Sequence, residues 1–77
     1  MKIINCNSSF ITIDLCDCLV NSVIRADGER LNNGFLIYKN SISQIEPSEK
    51  KLSTAEQQEI VKAISEWNSN LNTIFFD

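Results

Sequence analysis

One stretch of this chain admits only one local structure. Ser53 is followed three residues later by Glu56, and from there to Trp67 apolar side chains return at helical intervals. A serine at the N-cap accepts a hydrogen bond from the amide of the third helical residue. A glutamate at that position reaches back to the cap amide, so the pair marks a helix start. At about 100° per residue, Gln57, Ile60, Ile64, Trp67 and Leu71 gather on one side, with Val61 at its margin. Glu56, Glu59, Lys62 and Glu66 take the other side. Asn68 to Asn70 then end the helix in residues that tolerate turn geometry. Such a helix cannot bury its stripe alone.

The surrounding segments supply a sheet for it. Gly34 to Ile42 reads as a strand and Thr73 to Asp77 as a closing strand. Only alternate strand residues reach one face, so either Leu36 with Tyr38 or Phe35 with Ile37 meets Ile60, Ile64 and Trp67. A helix between the two strands allows them to pair in parallel, by a right-handed crossover. Upstream, Lys2 to Asn5 and Phe10 to Asp14 flank the turn residues Asn7 to Ser9 and suggest an opening hairpin. Cys18 to Ile24 is again β-branched and either extends a strand or forms its own. Asp27-Gly28 and Asn32-Asn33-Gly34 are turn signals, which leaves Glu29 to Leu31 as a short strand or a connection. Pro47 stops whatever precedes it. The expected fold class is α+β, a single small sheet of about four to five strands with one amphipathic helix on one face. The strand order stays open, and residues 1–77 form one domain.

Composition fits that size. The 77 residues are 43% hydrophobic and 22% charged with two glycines and one proline, which is ordinary globular usage. Cys6, Cys16 and Cys18 are odd in number and read as thiols in a reducing compartment. If 16–18 is a strand, Cys16 and Cys18 share a face, but the chain has no histidine to complete a zinc site, so small buried hydrophobes are expected and no metal or cofactor. The apolar-leaning stretch from Ser9 to Ile24 is broken by Asp14, Asp17 and Asn21, wrong for a membrane span or a signal peptide. A cytoplasmic protein is expected.

Charge is uneven along the chain. Asp14, Asp17, Asp27 and Glu29 are balanced by Lys2, Arg25, Arg30 and Lys39, whereas Glu46, Glu49, Glu56, Glu59, Glu66 and Asp77 face only Lys50, Lys51 and Lys62. The net charge of -3 therefore belongs to the second half. A pI near 4.8 argues against gripping nucleic acid or anionic membranes and favours a basic protein partner. Without histidine, acid–base catalysis would need paired carboxylates in a cleft, and no such pair is evident, so no enzyme is expected.

Asp27-Gly28-Glu29, the segment Gly34-Phe35-Leu36-Ile37-Tyr38-Lys39-Asn40-Ser41-Ile42, the Glu46-Pro47 corner, the acid-rich helix and the terminal Ile74-Phe75-Phe76 follow in an order with a familiar look. It resembles immunity protein family seventy-four, small bacterial proteins encoded beside polymorphic or contact-dependent growth-inhibition toxins. The resemblance spans residues 27 to 77, and its most specific piece is the Gly-Phe-x-Ile-Tyr-x-x-Ser-Ile strand joined to the proline corner. Where the family usually has an aromatic before that proline, this chain has Ile45.

The resemblance implies a cytosolic immunity protein that binds one cognate toxin domain, one to one, and masks its active site or substrate groove. Many such toxins are nucleases, whose grooves are basic because they bind phosphates, and an acidic helix could occupy one. Glu56, Glu59 and Glu66 are the expected charge contacts, with Glu46 and Glu49 extending the patch. Each is otherwise an ordinary solvated glutamate. Tyr38 joins them if Phe35 and Ile37 face the helix, because it then lies with Leu36 on the uncovered face of the sheet. Phe75 and Phe76 point to opposite faces, so one of them lies there too. The alternative is an assembly module that uses an exposed sheet edge or face.

Overall fold

The computed structural model describes residues 1–15, 22–69 and 73–77. Strands β1 (Lys2–Cys6) and β2 (Phe10–Asp14) form the opening hairpin, tied by the Asn7 side chain. Its Oδ1 accepts from the amides of Ser9 at 2.8 Å and Phe10 at 2.9 Å, the local turn chemistry expected of asparagine. The ladder shifts between Ile3 and Asn5, and Ile4 is the unpaired extra residue.

β3 runs unbroken from Val23 to Leu31. Asp27 and Gly28 therefore make no turn, contrary to their local signal, and Glu29 to Leu31 continue the strand. The reason is packing: a Cβ at Gly28 would collide with the Leu36 carbonyl oxygen and the Phe35 ring. β2 pairs with the Val23–Asp27 part of β3. Asn32 and Asn33 form the two-residue turn into β4 (Gly34–Ile37), which pairs with Gly28–Leu31.

The expected strand from Gly34 to Ile42 breaks after Ile37, where Lys39–Ser41 form one turn of 3-10 helix. The Ser41 hydroxyl takes over ladder bonding there, accepting from the Asp27 amide at 2.8 Å, and a side chain that bonds backbone in this way competes with strand continuation. β5 (Ser43–Glu46) then resumes along β3, opposite Val23–Arg25, with three extra residues accommodated at the break. A cis Glu46–Pro47 peptide stands at the corner before β6 (Lys50–Lys51), which pairs back on β5.

Helix α1 (Thr54–Trp67) follows with its capping box complete. β7 (Ile74–Phe76) pairs in parallel with β4. The main sheet path is β1-β2-β3-β4-β7, five strands, with β5 off this path beside β3 and β6 beside β5. The fold is a small mixed sheet with one helix packed against it. Ile11, Ile13, Ile24, Phe35, Ile37 and Ile74 from the strands bury against Ile60 and Ile64 of the helix. Trp67 and Val61 pack at the margin, half-buried. Gln57 lies on the apolar side because its amide donates to the carbonyls of Asn40 and Ile42, at 3.2 and 3.0 Å. Leu71, expected on the same stripe, lies outside the described residues, as do Cys16 and Cys18.

Candidate functional site

Phe35 and Ile37 face the helix, so Leu36 and Tyr38 turn to the other side of the sheet. Register then fixes their neighbours. Glu29 on β3, Leu36 on β4 and Phe75 on β7 stand abreast. One step along, the Tyr38 amide donates to the Asp27 carbonyl at 2.9 Å, and the Asp77 amide donates to the Ile37 carbonyl at 3.1 Å. Tyr38 thus sits between Asp27 and Asp77, with Glu29 on the diagonal. Asp77 is further fixed by its Oδ1, which accepts from the Lys39 amide at 2.9 Å.

Tyr38 is 37% exposed, and Leu36 and Phe75 are half-buried. The hydrogen bond to Glu29, partial desolvation and the negative charges of Glu29 and Asp77 all hold the Tyr38 phenol above its ordinary value. Arg25 lies on the same face, its guanidinium carbon 4.1 Å from the centre of the Phe10 ring. It stands 3.9 Å from Asp27 Oδ1, and with both side chains about half exposed this pair contributes about 0–1 kcal/mol at most. Beyond it, an open groove of about 490 Å³ lies over β3, β5 and β6, with Arg25, Asp27, Glu49 and Lys51 among its lining residues. It mixes both signs of charge.

The helical carboxylates are less uniform than their spacing suggests. Glu56 accepts from the Ser53 amide at 3.0 Å and from Lys50 Nζ at 3.3 Å. The Ser53 amide, then Lys50, then the Ser53 hydroxyl hold its pKa below the ordinary glutamate value. Glu59 and Glu66 are exposed, with Lys62 exposed on the same side. Glu46 and Glu49 are exposed at the proline corner, where Lys50 and Lys51 follow at once. The structure therefore does not gather the six sequence-derived residues on one surface. Glu59 and Glu66 belong to the helix face, Glu56 to its capped start, Glu46 and Glu49 to the corner, and Tyr38 to the outer sheet face. Phe75 is the one of the Phe75–Phe76 pair on this face, whereas Asp27, Glu29 and Asp77 around Tyr38 carry no local signal as a group, because strand register alone brings them together.

Cys6 is half-buried against the core, and its sulfur lies 4.0 Å from Arg30 Nη1. Among the described residues no group of three or more Cys, Asp or Glu could hold a metal ion. No described helix is long and apolar enough to cross a membrane. No family model, curated protein or solved structure matches the chain.

Proposed function

We propose that this chain is an immunity protein that binds a cognate bacterial toxin domain in the cytoplasm, one to one, and masks a basic active site or substrate groove, as on a nuclease. The observation that carries this reading is the mounting of its carboxylates. Glu59 and Glu66 project from a capped helix packed on a sheet, and Asp27, Glu29 and Asp77 from paired strands or their ends. Acids fixed on rigid elements lose little freedom on meeting a cationic surface, and their field speeds the encounter.

Co-purification from the source cell tests the reading. The expected result is a stoichiometric toxin domain that is inhibited in the complex; a chain recovered without one would sink it. Helix participation is tested separately. Glu59→Lys with Glu66→Lys should leave the urea midpoint in place and slow association, most strongly at low salt. Association indifferent to both the reversals and the salt would remove the helix from the interface.

A second reading, an assembly module, has its own observation. Ile3 and Ile4 on β1, at the end of the sheet path, are 39% and 53% exposed. Mass in solution decides it, since an assembly module self-associates and Ile4→Lys would disperse it.

A further inference from the structure

We infer that the outer face of β3, β4 and β7, centred on Tyr38, is the docking surface, and that its occupant is a basic, extended segment of the partner protein that lays an arginine or lysine side chain over the Tyr38 ring. The inference rests on the reading of the chain as a binder of a basic protein, and names the surface that does the binding.

Three features converge there. The first is apolar area: among the described residues Ile3, Ile4 and Tyr38 are the exposed large hydrophobics, and beside Tyr38 the half-buried Leu36, two residues back on β4, and Phe75, abreast of Leu36 on β7, extend the apolar surface. The second is charge. Asp27, Glu29 and Asp77 surround the ring, and among the described residues the one ion pair on them is the long Arg25–Asp27 contact at 3.9 Å. The helix is weaker on this count, because Glu56 is held by its cap and Lys50 while Lys62 lies between Glu59 and Glu66 in sequence. The third is preorganisation. The Asp27 backbone is held by Tyr38 and Ser41, and the Asp77 carboxylate accepts from the Lys39 amide, so the strand that carries Asp27 and the Asp77 side chain are set before binding.

The chemistry of the occupant follows. A ring face attracts a cation within about 6 Å of its centre, and carboxylates beside the ring accept the N–H groups of that cation. Neighbouring strands lie about 4.8 Å apart, so Asp27, Tyr38 and Asp77 span about 10 Å, wide enough for one guanidinium and too narrow for a groove that swallows a folded domain. An extended segment presents every second side chain to such a face. A standard interface of about 800 Å² takes roughly a sixth of the 4826 Å² surface, so the segment and the toxin surface around it cover this face together.

The test uses the full chain labelled with nitrogen-15 and a blocked hexapeptide of alternating arginine and threonine, with the glutamate–threonine counterpart as control. Binding should move the amides of Asp27, Glu29, Tyr38 and Asp77 saturably and leave Glu59 and Glu66 in place. Glu29→Gln with Asp77→Asn should weaken it about tenfold without shifting the urea midpoint, because the asparagine oxygen still accepts from the Lys39 amide. Tyr38→Ala should weaken it as well, whereas Tyr38→Phe, which keeps the ring, should not. Shifts confined to the helix, equal shifts with the acidic peptide, no shift at millimolar peptide, or changes at this face on simple dilution, which would make the occupant a second copy, each overturn the inference. The two claims fail separately. A chain recovered with a toxin yet blind to the Glu29 and Asp77 changes keeps the immunity reading and loses this surface. One that binds the arginine peptide here but is never recovered with a toxin keeps the surface and loses that reading.

Discussion

The side-chain amide of Asn68 holds both backbone groups of Ile74. Its Nδ2 donates to the Ile74 carbonyl at 2.8 Å, and its Oδ1 accepts from the Ile74 amide at 3.3 Å and the Thr73 amide at 3.0 Å. Asn68 is 6% exposed, so one residue past the helix it acts as a buried bracket on the start of β7. Asn68→Ala should cost about 1–3 kcal/mol, because it strands buried backbone groups. Urea melts read the loss, and protection of the β7 amides from hydrogen exchange should fall first.

The Ser53 and Glu56 pair predicts a pH dependence. Glu56 is more acidic in the folded chain than an ordinary glutamate, so its contribution is full above the unfolded value and fades as pH falls through the depressed folded one. Melts across the acid range should show this slope reduced in Glu56→Gln. Ser53→Ala should cost about 0.5–2 kcal/mol at neutral pH.

Gly28→Ala should destabilise the chain by about 1–3 kcal/mol, since the new methyl meets the Leu36 carbonyl and the Phe35 ring inside the sheet. If Gly28 were instead a surface turn residue, thermal melts of this variant would match those of the parent.

Tyr38 is the single tyrosine, so alkaline titration by phenolate absorbance reads it alone. Its midpoint should lie above that of free tyrosine and move down toward it in Glu29→Gln, because the neighbouring carboxylate favours the protonated phenol. An unmoved midpoint would separate the two side chains.

Ile64, fully buried on the helix, should lose about 2–5 kcal/mol on conversion to alanine. An unchanged urea midpoint would mean the stripe faces elsewhere.

What could be read from sequence was local. The cap, the stripe of Ile60 and Ile64 and the Asn7 turn each depend on residues a few positions apart, and all three stand as expected. The parallel partnership of β4 and β7 was also accessible, because a helix between two strands permits it. Gly28 misleads because the dipeptide Asp-Gly carries turn chemistry wherever it occurs, and the Leu36 carbonyl and the Phe35 ring explain the glycine here. The β5–β6 hairpin left little trace, since Lys50 and Lys51 have no strand signature and are held by pairing with Gln44 and Ser43. Tyr38 appeared as one branch of an alternative. The carboxylates beside it did not, because Asp27 and Asp77 are neighbours only through two ladders that meet on β4.

The division of the sheet into a helix side and an outer side also separates the chain's two strongest chromophores. Trp67, the single tryptophan, packs at the edge of the core beneath the helix, and Tyr38, the single tyrosine, stands on the opposite face. The protein therefore carries a built-in pair of optical reporters, one per face. A partner free of tyrosine and tryptophan covering the outer face would alter tyrosine emission and its quenching by iodide while leaving the indole spectrum unchanged, and one covering the edge of the helix at Trp67 would do the reverse. Unlabelled protein is thus enough to tell which side is occupied.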